Sequence, residues 1–306
     1  MKKFLFGLLI ILIACNSNKH SDNSGLFTKK KEVIMFPFGD TTFSWKSIDK
    51  ENTPLKLRFK QTATTLLKYE YEFYTGAGGL DHTEKEFENN CHVLDFNNDG
   101  LDDVIYTGST GSEGSEVVVF LNTGNGFKEV LKQVQDIVKL EFKDNKLFRL
   151  YIKDKGCCDA WIDFNRIYQV DYINRIPQFN TIYLTSNLHI ARFPKKYFKE
   201  PIYFEVLHDN YKMHLEPRID DTIIDGFTFP GSSFKTNNNV DTLIKSTKGR
   251  AIAKQSDNTG RVWWLVEIDS SYKDYGNLFY EQQGDTVHKA SGMGWISSRY
   301  VKRINN

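Results

Sequence analysis

One stretch of the sequence, DFNNDGLDD at residues 95–103, places four Asp and two Asn between two apolar runs. Carboxylate or amide side chains stand at its first, third, fifth and ninth positions, and alternate positions in a tight loop turn toward one point. Gly100 allows the sharp bend that brings the later residues back, and Leu101 can offer only its backbone carbonyl. Oxygen donors without nitrogen or sulfur suit a hard cation the size of Ca²⁺. The predicted ligands are Asp95, Asn97, Asp99, Leu101 through its carbonyl, and Asp103.

A cluster of carboxylates in one loop is unfavourable by itself, because each negative charge raises the pKa of its neighbours. A bound divalent cation removes this repulsion. We therefore predict a structural Ca²⁺ site, with a polar hairpin that binds no ion as the alternative. The loop is not a complete EF-hand, because Tyr106 stands at the twelfth position, where a bidentate carboxylate is required. Its flanks, HVL and VIYTG, are typical of strands.

The pattern D-x-N-x-D-G-x-x-D, followed by VIYTG and VVVFLNTGNGF, resembles one blade unit of the FG-GAP/VCBS class over residues 91–130. The resemblance implies that Ca²⁺ sits in the hairpin between two propeller strands, held by the same five residues. A complete propeller needs several blades, and only one clear loop of this kind occurs in the sequence. We expect the other strands to form degenerate blades or a smaller sheet.

Short runs rich in aromatic and β-branched residues fill the chain from residue 32 onward, separated by turn sequences such as GAGG and TGNG. This pattern predicts an all-β protein. Alternating apolar residues favour strands for LKLRFK and KYEYEFYT, whereas HTEKEFENN is predicted to be a loop or a short helical turn. Pro177 and Pro194 suggest a boundary near residue 188. We predict an antiparallel, propeller-blade-like FG-GAP/VCBS domain at residues 27–188 and an SH3-like barrel at residues 189–306.

The N-terminus, MKKFLFGLLIILIAC, has the architecture of a signal peptide, because two lysines precede an apolar run that is too short to span a bilayer permanently. Its end, LIAC, resembles the lipobox of bacterial lipoproteins. The resemblance implies that the signal peptide of residues 1–15 ends at a lipidated Cys15, with residues 16–26 as a tether. We expect a cell-envelope protein anchored by lipid, on the periplasmic face of the outer membrane. An ordinary signal peptide with an incidental cysteine is the alternative.

An exported protein can form disulfides, and three cysteines remain once Cys15 is assigned to lipid. Cys91 can pair with either Cys157 or Cys158, or a vicinal Cys157–Cys158 bridge can leave Cys91 buried and free; the sequence leaves the pairing open. A cysteine nucleophile with His189 or His208 as its base is the sharper hypothesis. No family signature surrounds KGCCDAW, so a structural role is favoured.

The C-terminal part carries VWWLVEI and ends in GWISSRYVKRI. These sequences resemble the aromatic strand, the last strand and the 3₁₀ turn of SH3-type barrels over residues 200–306. The resemblance implies a module that binds peptidoglycan peptide or an envelope protein. Its groove candidates are Trp263, Trp295 and Tyr300, although aromatic residues in small barrels are often core residues.

The net charge of +1 provides no field that would recruit nucleic acid. HExxH, GxSxG, P-loop and dinucleotide-binding motifs are absent from the sequence. We therefore predict a non-enzymatic, lipid-anchored envelope protein with a calcium-stabilised β domain and an SH3-like binding module. One alternative is a periplasmic inhibitor or immunity protein that inserts the loop GSTGSEGSE into a lysozyme-like enzyme. The other is a hydrolase that depends on Cys157 or Cys158.

Overall fold

The computed structural model of the chain describes residues 32–39, 42–75, 83–111, 114–154, 162–220, 224–229, 232–269, 280–283 and 286–305. From Val33 onward they belong to one structural unit. The helices are α1 (Thr53–Leu66), α2 (Lys68–Thr75) and α3 (Glu84–Asn89). The strands are β1 (Cys91–Leu94), β2 (Asp103–Ser109), β3 (Ser115–Asn122), β4 (Phe127–Gln133), β5 (Asp136–Lys143), β6 (Lys146–Asp154), β7 (Ile162–Ile173), β8 (Ile176–Leu188), β9 (Ile202–Val206), β10 (Tyr211–His214), β11 (Ile224–Phe229), β12 (Ser232–Thr236), β13 (Asn239–Leu243), β14 (Lys248–Ser256), β15 (Val262–Ile268), β16 (Tyr280–Gln283), β17 (Thr286–Lys289), β18 (Ser291–Ser297) and β19 (Val301–Arg303).

Residues 53–75 form α1 and α2, so the strands predicted for LKLRFK and KYEYEFYT are wrong. Asn52 caps α1, because its side-chain oxygen accepts a hydrogen bond from the backbone N of Leu55 at 3.1 Å, and a proline stands in the first turn. Buried side chains recur every four residues, which places them on one stripe of a helix. They are Leu55, Phe59, Ala63 and Leu67.

Helix α3 lies inside HTEKEFENN, where a short helical turn was one of the two predicted outcomes. It begins at a capping box. The backbone N of Glu86 donates to Thr83 Oγ1 at 3.3 Å, and the backbone N of Thr83 donates to Glu86 Oε2 at 2.7 Å. Phe87 is the buried residue of this helix and packs with α1 and α2.

The first sheet is antiparallel, with the strand order β1-β2-β3-β4. Both of its faces are covered, which explains why its central strands are apolar along their length. The helices pack on one face, and strands of the second sheet pack on the other. Side chains that face the helices are Val93, Val104, Tyr106, Val118 and Phe120; those that face the second sheet are Leu94, Ile105, Val117, Val119 and Leu121.

The second sheet follows the order β19-β9-β14-β15-β18-β8-β7-β6-β5; β10 joins it by pairing with β18, and β13 pairs with β10. Its ladders are antiparallel except for the parallel pair of β18 with β8. On β5 to β8 one face packs against the first sheet, and the opposite face contributes to a core with Trp263, Leu265 and Trp295. The sheet contains strands from both sides of residue 188, and the predicted division of the chain there stays a prediction.

The all-β class predicted from the sequence is confirmed, because antiparallel sheets dominate the fold. The path of the second sheet starts at β19 and stops at β5, so its described strands do not close into a barrel. The propeller and SH3-like resemblances stay predictions. Within the described ranges, no helix is both long enough and apolar enough to cross a membrane.

Candidate metal centre

The acidic loop of residues 95–102 closes the hairpin of β1 and β2, which pair in register with Leu94 opposite Asp103. Two of its residues have a left-handed backbone, Asn98 with φ 56° and Gly100 with φ 90°. Asparagine and glycine are the residues that adopt this conformation most readily. The loop sequence therefore suits the tight turn that the strand register imposes.

Backbone N–H groups orient the acidic side chains of the loop. The Asp95 carboxylate accepts hydrogen bonds from the backbone N of Asp99 at 3.1 Å and of Gly100 at 2.9 Å. Asp99 Oδ1 accepts from the backbone N of Leu101 at 2.9 Å. These bonds fold the loop around its own carboxylates, as expected of a loop that presents several oxygens to one point.

Asn97 connects the loop to the second sheet. It is 2% exposed, and its Nδ2 donates to Asp99 Oδ2 at 3.0 Å and to the backbone O of Arg175 at 3.2 Å. Arg175 lies in the turn between β7 and β8. The conformation of the loop is therefore coupled to the tip of the β7–β8 hairpin.

Asp103 is the buried end of the loop, with no exposed surface. Its carboxylate accepts hydrogen bonds from the backbone N of Asn122 at 2.8 Å and of Phe96 at 3.3 Å. Burial raises the pKa of Asp103 to about 7, and the negative charges of Asp99 and Asp95 add to the rise. The two backbone hydrogen bonds lower the pKa and offset only part of this increase. A buried carboxylate under like-charge repulsion is the kind of group that a cation stabilises.

The donor set of the loop fits a hard cation, because it is made only of oxygens and includes one buried carboxylate. Hydrogen bonds or charge interactions bring Asp95, Asn97, Asp99 and Asp103 together, whereas the side chain of Leu101 is 39% exposed and only its carbonyl is a candidate. Among the described residues, no group of three or more His, Cys, Asp or Glu is arranged to hold a metal ion. Calcium at this loop stays a prediction.

No known protein family, curated protein or solved structure matches this chain. The resemblances to FG-GAP/VCBS blades, to a lipobox and to SH3-type barrels therefore rest on the quoted motifs. The structure adds the geometry around the acidic loop and around the two C-terminal sequences, whereas the lipobox lies outside the described residues.

Two residues that the sequence did not single out connect the loop to neighbouring elements. Asp102 turns toward α1, where its carboxylate accepts from Lys50 Nζ at 2.6 Å and from Asn52 Nδ2 at 3.0 Å. Asn122, which is 4% exposed, donates from Nδ2 to the Asp102 carbonyl at 2.8 Å and accepts from Arg58 at 3.0 Å. Asn122 belongs to the run VVVFLNTGNGF, which is the only part of the sequence pattern that pointed to this residue.

The groove candidates lie in different environments. Trp263 and Trp295 are 1% and 2% exposed, and both belong to the core cluster behind β15 and β18. Trp263 Nε1 donates to Asp257 Oδ2 at 2.9 Å. Tyr300 is 42% exposed, and its ring lies 5.9 Å from that of Tyr211. Only Tyr300 of the three presents a ring to solvent.

Cys91 is a buried free thiol whose Sγ donates to the backbone O of Phe87 at 3.4 Å. Burial raises the pKa of Cys91 to about 12, so the thiol is protonated at neutral pH. Cys15, Cys157 and Cys158 lie outside the described residues, as do the predicted signal peptide and tether. The predictions of lipidation, of a vicinal bridge and of a cysteine nucleophile stay predictions.

Proposed function

We propose that the protein is a non-enzymatic, lipid-anchored envelope protein in which Ca²⁺ at residues 95–103 stiffens the first sheet and the C-terminal part binds cell-wall peptide or a protein partner. One observation carries the calcium half of this proposal. Asp103 is fully buried beside the charges of Asp95 and Asp99, in a loop whose N–H groups hold those carboxylates in place.

The acidic loop lies where the helices, the first sheet and the second sheet meet. The loop reaches α1 through Asp102, the third strand through Asn122, and the β7–β8 turn through Asn97. When bound, Ca²⁺ supplies positive charge and fixed coordination to the carboxylates of the loop. A cation that neutralises these carboxylates would therefore stabilise the contacts that the helices, the first sheet and the second sheet make at the loop. This is a structural role with no catalytic step.

Thermal unfolding of the full-length protein tests the calcium site. With free Ca²⁺ at about 100 times the dissociation constant, binding to the native state adds about 2.7 kcal/mol and raises Tm by roughly 5 °C relative to protein treated with chelator. Asp103→Asn keeps the shape of the side chain and is expected to abolish the shift. Asp102→Asn is the matched control, because the neighbouring carboxylate faces α1, and it should retain the shift. A wild-type Tm that is the same with calcium and with chelator contradicts the proposal.

The recognition half is supported by the exposed ring of Tyr300 next to Tyr211 and His208. Aromatic rings with a polar edge are common anchors of peptide-binding surfaces. Purified full-length protein is expected to sediment with peptidoglycan sacculi, and Tyr300→Ala should reduce the bound fraction. The control is Tyr69→Ala, which removes another exposed ring, on α2. Equal retention of both variants, or no retention of the wild type, contradicts the proposed binding to the cell wall.

The lipid anchor is tested separately. Cells that express the wild type are expected to incorporate labelled palmitate into the protein and to retain it in the membrane fraction. Cys15→Ser should lose the label. If the wild type takes up no label, the lipobox prediction is wrong, whatever the calcium experiment shows.

A further inference from the structure

A second cluster of polar side chains lies on the face of the second sheet that is turned away from the acidic loop. Asp136, Lys153 and Asn165 stand opposite one another on β5, β6 and β7, because the register pairs Asp136 with Lys153 and Lys153 with Asn165. Residues paired across strands share a face of the sheet. Ile152, the neighbour of Lys153 in the chain, points to the other face and packs against the first sheet.

Aromatic residues cover this polar row. Residues 32–39 contribute Phe38 and the segment after β8 contributes Phe193, whereas Phe43 reaches the same cavity from the core between the two sheets. The rings of Phe38 and Phe193 are stacked, with centroids 4.7 Å apart and planes 17° apart. A cavity of about 390 Å³, the strap cleft, lies between the two layers. Its lining includes the aromatic residues Phe38, Phe43 and Phe193 and the polar residues Asp136, Lys153 and Asn165.

The polar wall of the strap cleft has an unused acceptor. Asn165 is 1% exposed, and its Nδ2 donates to Asn187 Oδ1 at 2.8 Å. Its Oδ1 is buried and has no hydrogen-bond partner in the described structure. A buried amide oxygen without a partner is costly unless a ligand or water satisfies it. Asn165 lines the strap cleft, so a group bound there lies close to this oxygen.

The charges of the polar wall are balanced. Lys153 Nζ lies 2.8 Å from Asp163 Oδ2, and Asp163, which is 1% exposed, also lies 2.7 Å from His189 Nδ1. With Asp136 the wall has no excess of positive charge that would select a phosphate or carboxylate. Backbone groups of β6 and β7 are engaged in ladder hydrogen bonds with their neighbours, so an extended peptide cannot pair with either of these two strands.

We propose that the strap cleft binds a neutral saccharide. A pyranose ring presents C–H groups on one face and hydroxyls at its edge, which matches aromatic rings on one wall and carboxylate, ammonium and amide groups on the other. The electron-rich face of Phe193 attracts the C–H face, and the hydroxyl edge hydrogen-bonds to Asn165, Lys153 and Asp136. The volume lies within the range of small-molecule sites. This site goes beyond the calcium and SH3-like proposals and does not depend on either.

Saturation-transfer NMR with the full-length protein in a non-glycosidic detergent tests the site, with maltotriose and tri-N-acetylchitotriose as probes. Transfer to ring C–H protons of at least one probe is expected for the wild type. Phe193→Ala and Asn165→Leu should each weaken its affinity roughly tenfold or more, since each removes one wall contact. Phe142→Ala is the matched control, because Phe142 lies at the other end of β5 and is 38% exposed; it should bind as the wild type does.

Hydrogen exchange of the wild type gives a readout that does not depend on how the variants fold. Saccharide is expected to slow amide exchange at residues 33–39 and 191–197, the two segments that cover the strap cleft, and to leave the acidic loop unchanged. The proposal is overturned if neither saccharide gives transfer, if a folded Phe193→Ala variant binds as well as the wild type, or if exchange in both segments is unaffected.

Discussion

Asp103 and Asn122 are joined across the first sheet by a hydrogen bond of 2.8 Å from the backbone N of Asn122 to Asp103 Oδ1. Asn122 in turn donates from its side chain to the carbonyl of Asp102. The end of the third strand thus holds the last two residues of the acidic loop in place. These two hydrogen bonds hold Asp103 in its buried position, and burial raises the pKa of its carboxyl group.

Calcium affinity is expected to fall as pH drops through about 7. Burial raises the pKa of Asp103 to about 7, so that below this pH a proton competes with the cation for the carboxylate. Calorimetric titration at about pH 8 and about pH 6 measures the difference. Affinity that is independent of pH over this range would exclude Asp103 as a ligand.

Without metal, the same carboxylate makes stability fall as pH rises. The pKa of Asp103 in the folded protein lies above the ordinary value of 3.8, so the folded state keeps its proton over a range in which the unfolded state has lost it. Stability from this group is complete below about pH 4 and is lost as pH rises to about 7. Urea unfolding of chelator-treated protein should show the fall, and Asp103→Asn should remove this group's part of it.

Glu116→Gln is expected to stabilise the protein at alkaline pH. Burial, together with a hydrogen bond and charge from Glu70, raises the pKa of Glu116 to about 8. Lys132 compensates both carboxylates in part, at 2.7 Å from Glu70 and 3.3 Å from Glu116. Because the folded pKa exceeds the ordinary value of 4.5, stability falls between about pH 4.5 and pH 8, and each pKa unit corresponds to about 1.4 kcal/mol.

Urea unfolding at about pH 5 and about pH 8.5 checks the Glu116 prediction. The variant should match the wild type at the lower pH and exceed its stability at the higher one. Glu129→Gln on β4 is the control, because that side chain is exposed, and it should follow the wild type at both values. A variant less stable than the wild type at alkaline pH would show that Glu116 is ionised and favourably paired.

Leu67→Ala is expected to cost about 2–5 kcal/mol of unfolding free energy, whereas Leu66→Ala should cost less than about 1 kcal/mol. Leu67 has no exposed surface and belongs to the core between the helices and the first sheet, but its neighbour is 36% exposed. Denaturant unfolding of the two variants measures the contrast. Similar losses at both positions would argue against the helical packing of residues 53–75.

Cys91 is expected to resist alkylation in the native protein at about pH 8. Its thiol is buried and protonated, because burial raises its pKa to about 12. In urea without reductant it should be labelled fully, as peptide mapping by mass spectrometry would show. Labelling that requires a reductant would reveal a bridge from Cys91 to another cysteine.

The sequence predicted the strand content and the hairpin around the acidic loop, because turn residues and β-branched runs are local signals. It failed at residues 55–60 and 68–74, where alternating and helical patterns are both present. Leu55 and Phe59 fit a strand face with Leu57 between them, and they fit a helix stripe with Ala63. The sequence Asn52-Thr53-Pro54 is a typical helix N-terminus and favours a helix over a strand for the residues that follow it.

The site was predictable only where its residues are close in the chain. The spacing of Asp95, Asn97 and Asp99 is visible in nine letters, but Asn122, the partner of Asp103, is brought in by a strand pairing. The strap cleft gave no signal at all, because it joins Phe38, Lys153, Asn165 and Phe193 through sheet register and through two segments without regular structure. Burial of Trp263 and Trp295 likewise depends on which face of β15 and β18 meets the core.

The parallel ladder of β18 with β8 places Ser291 beside Thr185 and Gly292 beside Ser186. The strands from β9 to β17 lie between β8 and β18 in the chain, so this pair can form only after they have been synthesised. Closing a long loop of this kind slows folding. Until β18 pairs with it, β8 is an edge strand with unpaired backbone groups, which can pair with a strand of another molecule. Deletion of the final strands is therefore expected to yield aggregation instead of a shortened soluble protein.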